Sequence, residues 1–294
     1  MRSDFDYHRP DSVESAVRMK CELGSESRFW AGGTDLVLQW KSQKIKPLHC
    51  IDVTAIAGLG YIENDGSLLR IGGLTSLSEL ERADRQDPYL KTLAEVACLM
   101  CTVQTRTIAT IAGNLCNASP AGDLFPTLIA MDAYLKVVGE AGGRELPVEV
   151  LMISPGKTSL HHSELVTEIC IPTPSQARAS SYRRIDRTVV DIALVSAAGA
   201  IRLDSNNVVE SAIIAMGAVA PTVIRSARAE ALLTGTALSA LNGEFLQRVG
   251  DAAATDATPI TDVRASAEYR SAMIKVLVRR VLEDISDSLL GESE

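Results

Sequence analysis

The chain has 294 residues, 46% hydrophobic and 22% charged, with a formal net charge of -8. That length supports a substantial core and more than one domain. The acidic balance, the absence of a long basic run and an aromatic content of 4% argue against nucleic acid or an anionic membrane as partners.

The opening MRSDFDYHRPDSVE is charged and lacks a signal-peptide core. No run approaches the ~18 consecutive apolar residues of a membrane span, so a cytoplasmic protein without a span is expected. Ser12 should cap a helix over 13–23, with Ala16, Val17 and Cys21 on one face. Residues 29–31 read as a strand entering Ala31-Gly32-Gly33-Thr34-Asp35-Leu36, followed by a helix over 36–40 and a strand over 49–53. A further strand is expected over 68–71. Ser76-Leu77-Ser78-Glu79 is a capping-box pattern opening a helix to residue 83, and 90–100 is a second helix. The stretch 106–111 is expected to be extended and to feed a second glycine loop, Thr110-Ile111-Ala112-Gly113-Asn114-Leu115. A helix over 125–131 and strands over 133–138 and 165–171 follow, with Pro172 and Pro174 as a boundary. Beyond residue 179, two β-rich runs (192–201 and 208–216) suit a small antiparallel sheet. Helices are expected at 226–233, 239–251 and 266–282, the last with Ile274, Leu277, Val278, Val281 and Leu282 at helical spacing.

Six cysteines, at 21, 50, 98, 101, 116 and 170, show no disulfide framework. Cys98 and Cys101 form one C-x-x-C, with Cys116 further on. The neighbours Leu93, Val96, Ala97 and Met100 give that segment a helical apolar pattern, so buried reduced thiols are expected rather than a metal or iron–sulfur site. His161 and His162 are adjacent and read as a solvated turn.

The two glycine loops carry the chemistry. Glycine lets a backbone turn tightly and approach a bulky anion, and consecutive N–H groups in such a turn form an anion-binding nest. Two nests from distant segments could grip one pyrophosphate from both sides. Neither loop matches G-x-G-x-x-G or G-x-x-x-x-G-K-[ST], which points away from a Rossmann or P-loop site. On the residues alone, a Gly-Gly pair is more often a plain turn.

AGGTDL, followed by QTRTIATIAGNLCNASPAGD, resembles the FAD-binding medium subunit of the molybdenum hydroxylases, the xanthine and carbon monoxide dehydrogenase family. The resemblance extends to FDYHRPDSVESAV, Ile51-Asp52-Val53, Ile71-Gly72-Gly73, PGKTSL at 155–160, ELVTEICIP at 164–172, APTVIRSARAE and DVRASAEYR, so it spans nearly the whole chain. It implies an α+β protein. A two-subdomain FAD-binding domain of the vanillyl-alcohol-oxidase (PCMH) type (1–58 and 59–177) precedes a C-terminal domain of small antiparallel sheet and helices (178–294).

By the same resemblance, Arg28, Phe29, Trp30, Ala31, Gly32, Gly33, Thr34 and Asp35 form the first pyrophosphate-side loop. Thr110, Ile111, Ala112, Gly113 and Asn114 form the second. Asp123 would accept a hydrogen bond from the ribityl or adenosine portion, Val166 would make a backbone contact to the flavin ring, and Arg183 would stand near the N1–C2 edge. The chain departs from the family at Ala112, where a glycine is usual and a methyl would approach the pyrophosphate, at Thr107 for asparagine, and at Arg183 for lysine. With Arg184 adjacent, that last register is open by one residue.

The resemblance implies an electron-transfer role and no catalytic residue or metal on this chain. A small partner subunit with two [2Fe–2S] clusters would pass electrons to the flavin, which hands them to NAD+, a quinone or another acceptor. A large subunit with the molybdopterin cofactor would hydroxylate the substrate. PGKTSL and the YHRPDS opening lean toward the xanthine dehydrogenase branch, hence a purine or other N-heterocycle. A heterotrimer or a dimer of heterotrimers is expected. The rival readings are a self-contained FAD oxidase or dehydrogenase, for which no covalent attachment motif is present, and a scaffold that has lost flavin, favoured by Ala112.

Overall fold

Parallel strand pairing organises the first part of the computed structural model, which describes residues 5–291. In chain order come β1 (Asp6–His8), α1 (Val13–Leu23), β2 (Ser27–Trp30), α2 (Leu36–Lys41) and β3 (His49–Asp52). The sheet order is β1-β3-β2, parallel throughout. Ser12 caps α1, its hydroxyl accepting from the Ser15 N–H at 3.2 Å. Ala16 and Val17 lay the helix on Ile51 and Val53. Because parallel strands finish at one end of a sheet, β2 delivers the first glycine loop to the end where β3 also stops.

The second part runs through β4 (Ile62–Asn64), β5 (Leu68–Gly72), α3 (Leu77–Glu81), α4 (Pro88–Leu99), α5 (Val103–Arg106), α6 (Ile111–Cys116), α7 (Leu124–Ala130), β6 (Tyr134–Gly139), β7 (Gly142–Pro147), β8 (Met152–Ser154), β9 (Lys157–Thr158) and β10 (Leu165–Pro172). An antiparallel sheet, β4-β5-β10-β6-β7, packs its apolar face on the helices around Leu69, Ile71, Leu93, Phe125, Leu135 and Ile169. The capping box forms as expected. The Glu79 N–H donates to the Ser76 hydroxyl, and the Ser76 N–H returns a bond to the Glu79 carboxylate.

The stretch 106–111 is not the extended segment its β-branched residues indicated. It holds the end of α5, a turn and the first residue of α6. Two threonines decide this: Thr102 caps α5 and Thr110 caps α6, each hydroxyl accepting an N–H three residues on. A single bridge between Ser76 and Thr110 is the strand pairing made there.

The third part contains β11 (Arg178–Ile185), β12 (Val195–Leu203), β13 (Val209–Gly217), β14 (Ile224–Arg225), α8 (Ala227–Leu233), α9 (Gly243–Asp256) and α10 (Ala267–Gly291). Its four strands form one antiparallel sheet in sequence order. Successive residues of β12 serve two different cores. Val195, Ala197, Ile201 and Leu203 pack with Ile274, Val278 and Val281 of α10, while Ala198 and Ala200 join the core of the second part around α7. Period-two alternation with both faces covered explains why β12 is apolar along nearly its whole length. The helix expected over 239–251 is displaced. A short 3-10 turn occupies Leu238–Ala240, and α9 starts behind Asn242, whose side chain accepts from the Phe245 N–H at 3.0 Å. The last helix runs past residue 282 to Gly291. Among the described residues, no helix is long and apolar enough to cross a membrane.

Candidate functional site

The first glycine loop leaves β2 at Trp30 and turns through Gly33, which has φ +69°, a conformation costly for any residue with a β-carbon. A β-carbon on Gly33 would meet the Trp30 ring at 2.9 Å, and one on Gly32 would lie 1.8 Å from the Ile108 carbonyl oxygen. Glycine at 32 is therefore what lets the two loops touch. Among the described residues, the N–H groups of Gly32, Gly33, Thr34 and Asp35 donate to no acceptor of the chain. They form an open nest of unspent donors.

The second loop is built on a different plan, and the expectation of two facing nests is corrected. The Ile111 N–H donates to the Thr75 carbonyl at 3.0 Å, the Ala112 N–H to Gly73 at 3.2 Å, and the Asn114 N–H to Thr110 at 3.0 Å. The Gly113 N–H donates to the Thr110 hydroxyl at 3.1 Å. These donors are spent inside the protein. What the loop offers instead is an exposed glycine surface at Gly113 and the Asn114 side chain, whose buried Oδ1 has no hydrogen-bond partner. An orphaned buried acceptor signals a missing donor.

Ala112 does not crowd this site. Its backbone is helical, its side chain belongs to the core of the second part, and its methyl lies beside the bare Cα of Gly73. The first turn of α6 thus aims residue 112 inward, which gives no support to the expectation that its methyl approaches the pyrophosphate.

The loops are also tied by a residue that the sequence reading did not single out. Asn117 donates from Nδ2 to the Asp35 carboxylate at 3.1 Å and accepts from Gln39 Nε2 at 3.2 Å. Arg106 is a second such residue. Buried against Glu81 at 2.8 Å, it also donates to the carbonyls of Met100 and Cys101 at 2.9 and 3.0 Å, fixing the turn before the second loop. No spacing signal marks either residue. The loops border an open cleft of about 620 Å³ that includes Trp30, Gly32, Thr54, Ser76, Arg82 and Thr110 in its lining.

The remaining expected residues are dispersed. The Arg28 guanidinium turns back to the carbonyls of Ser25 and Ser27 at 2.7 and 2.8 Å. Phe29 packs in the α1 core. Val166 is buried in β10 beside a bulge, its carbonyl against Gly73. Asp123, buried just before α7, is not an unengaged acceptor: one oxygen accepts from the Tyr182 hydroxyl, the other from Arg184 Nη1 at 2.9 Å. Burial pushes the Asp123 carboxyl above its ordinary pKa, against the pull of Arg184 and Tyr182. The same burial pushes the Tyr182 hydroxyl well up.

Arg183 and Arg184 part company because neighbours on a strand project to opposite faces. Arg183 pairs with Asp284 of α10 at 2.6 Å. Arg184 faces the second part, where it contacts Asp123, Asp186 at 2.8 Å and the Leu99 carbonyl at 2.9 Å. Expectation had placed Arg183 at the flavin edge. The strand's alternation puts Arg184, not Arg183, on the side of the loops.

The thiols are corrected as well. Cys98 and Cys101 are exposed and unpaired, whereas Cys50 and Cys170 are buried. Cys116 is unpaired and exposed as a residue, but desolvation of its thiol pushes the pKa up to about 12, as a buried thiol would show. The apolar neighbours of Cys98 do enter the core, but Cys98 sits on the other side of α4, Cys101 lies in the bend after it, and Cys116 ends α6. His161 and His162 occupy an exposed loop.

An open nest, an orphaned amide oxygen and a close backbone crossing fit a bulky anionic ligand such as a dinucleotide. Residues 3–174 match the family described as the FAD binding domain in molybdopterin dehydrogenase, and residues 180–285 match the CO dehydrogenase flavoprotein C-terminal domain. The chain is 32% identical to the carbon monoxide dehydrogenase medium chain of Hydrogenophaga pseudoflava over 95% of this chain and 96% of that one. It is 30% identical to the xanthine dehydrogenase FAD-binding subunit of Escherichia coli O157:H7, over 95% and 94%. The solved carbon monoxide dehydrogenase from Hydrogenophaga pseudoflava, lacking the Mo-pyranopterin moiety of its molybdenum cofactor, superposes with a TM-score of 0.90 at 31% identity over 97% of this chain and 98% of that one. Fold and site together define an FAD-binding oxidoreductase subunit. More narrowly, the chain belongs to the flavoprotein medium-subunit family of the molybdenum hydroxylases, alongside the carbon monoxide and xanthine dehydrogenases.

Proposed function

We propose that this chain moves electrons and leaves hydroxylation to a partner. It would receive them from two [2Fe–2S] clusters of a small subunit and deliver them to NAD+, a quinone or another acceptor, while a large molybdopterin subunit oxidises the substrate. The three would assemble as a heterotrimer or a dimer of heterotrimers. FAD, when bound, supplies reversible storage of two electrons. The observation that carries the reading is the run of unspent N–H donors from Gly32 to Asp35, set against the second loop by the Gly32–Ile108 crossing. These donors would hold the pyrophosphate charge, and Asn114 would present its amide beside them. Asn117 would keep the two loops in register. Arg184, already shared among Asp123, Asp186 and Leu99, would act as a fixed and largely neutralised cation rather than a free one.

Each of the four sheets, the two-stranded β8-β9 pair included, lies within one of the ranges 1–58, 59–177 and 178–294, which we read as the structural units. Residues 1–4 and 292–294 of the outer two lie outside the described residues. Relatives of both branches match at 32% and 30% identity. A purine or other N-heterocycle as the partner's substrate therefore rests on PGKTSL and the YHRPDS opening alone. The flavin-free scaffold loses its main support, since the Ala112 methyl is buried in the core. The test is to purify the protein from its native source, release the chromophore by denaturation, and assay molybdenum, iron and co-purifying chains. One FAD per chain with both partners supports the reading. A colourless, solitary chain that takes up no added FAD overturns it.

A further inference from the structure

Two of the four histidines of this chain meet at the far end of the first sheet. The parallel register sets Asp6 opposite His49 and His8 opposite Ile51. Asp6 and His8, two residues apart, project to one face of β1, and the His49 ring joins them from β3. His8 Nε2 lies 3.2 Å from His49 Nδ1, and His49 Nδ1 lies 3.5 Å from the Asp6 carboxylate. One ligand atom from each of the three residues falls within 4.8 Å of the others. Tyr7 and Asp52, on the opposite face, hydrogen-bond to each other and stay out of the group.

These separations have a chemical meaning. Ligand atoms held about 2.0–2.1 Å from one tetrahedral ion lie roughly 3.3 Å apart along each edge. The His8–His49 and His49–Asp6 contacts bracket that edge, so small side-chain rotations would aim all three lone pairs at one point. Two imidazoles and one carboxylate are the ligand types of zinc and its neighbours among the divalent transition metals. Each imidazole would bind as the neutral ring, with its hydrogen on the outward nitrogen. Asp6 is exposed and the histidines are half-buried, so an ion can enter, and a fourth position stays open to water.

We propose that Asp6, His8 and His49 form a surface site for one divalent transition-metal ion of the zinc type, which clamps the short strand β1 onto β3. The site stands at the starting ends of the parallel strands, and the first glycine loop stands at their finishing ends. Metal at this site fixes the first sheet and leaves the flavin cleft untouched.

The experiment uses full-length, tag-free, chelator-treated protein titrated with Co2+ and then Zn2+, followed by absorption and calorimetry. One Co2+ per chain is expected, with a four-coordinate spectrum, displacement by Zn2+ and a Zn2+-dependent rise in Tm. His8→Asn and His49→Asn should each weaken binding about 10-fold or more, and Asp6→Asn by a smaller factor. His161→Asn should change nothing, and FAD content should be the same in every variant. Because His8 lies on a three-residue edge strand, its variant keeps the test valid should His49→Asn fold poorly. Failure to bind Co2+, binding indifferent to both His8→Asn and His49→Asn, or a sulfur-to-cobalt charge-transfer band removed by Cys101→Ser would each overturn the proposal.

Discussion

Arg183 and Arg184 are consecutive on β11 yet pair with acids on opposite sides of the sheet, Asp284 on α10 and Asp123 just before α7. One guanidinium decorates an outer helix, and the other locks the third part of the chain to the second.

The two arginines should therefore behave differently on replacement. The Arg184 side chain is 5% exposed and that of Arg183 is 53% exposed. Arg184→Met leaves Asp123 buried without its cation and is expected to cost about 3–5 kcal/mol. Arg183→Met breaks a solvated pair and should cost about 1 kcal/mol or less. Urea denaturation of both variants decides the point, and equal losses would contradict the two-face arrangement.

Gly32→Ala should abolish FAD retention, because the new methyl meets the Ile108 carbonyl oxygen at 1.8 Å and the loops must separate. The strain is expected to cost about 1–3 kcal/mol of stability as well. Gly243→Ala is the matched control, since a β-carbon there meets nothing within 4 Å. It should be neutral or stabilise by up to about 1 kcal/mol. Flavin released per chain, measured after gel filtration, separates the two.

Restoring the family glycine should do harm. Ala112→Gly removes a buried methyl worth about 0.8 kcal/mol and adds about 0.5–1 kcal/mol of helix penalty, with FAD affinity unchanged. A variant that instead bound FAD more tightly would show that the methyl does face the cofactor.

Asn117→Ala removes the bonds to Asp35 and Gln39 that join the loops. A loss of about 1–1.5 kcal/mol is expected for two hydrogen bonds, read as a roughly 10-fold weaker FAD Kd by fluorescence titration. Unchanged affinity would remove Asn117 from the site.

Acid stability should depend on Glu164. Hydrogen bonds from Arg144 hold its carboxyl below the ordinary value of 4.5. A depressed folded pKa means the unfolded chain takes up the proton first. The stabilisation is thus complete above pH ~4.5 and fades as pH falls through the folded value. The stability gap between wild type and Glu164→Gln should accordingly narrow between neutral pH and pH ~3. Urea melts across that range test this, and a constant gap would refute it.

Much was legible in the residues themselves. The Ser12 cap, the Ser76–Glu79 capping box and the apolar spacing on α10 are local signals. They are read within a few residues of chain, and each formed where expected. The two glycine loops were visible for the same reason. By contrast, 106–111 was misread because β-branched threonines serve strands and helix caps alike, and only the N–H three residues on shows which is meant.

The sequence by itself determined the elements and, through its motifs, the family. The tertiary structure decided which surfaces those elements share. Which arginine faces the loops depends on the phase of β11 between two cores. The fate of the Ala112 methyl depends on the direction of the first turn of α6. The second loop's N–H groups are spent on Thr75 and Gly73, residues far behind it in the chain. Asn117 and Arg106 matter only because segments distant in sequence lie beside them. Local patterns specify a backbone's periodicity, and a site's free donors and charges are what remains after every long-range partner has been satisfied.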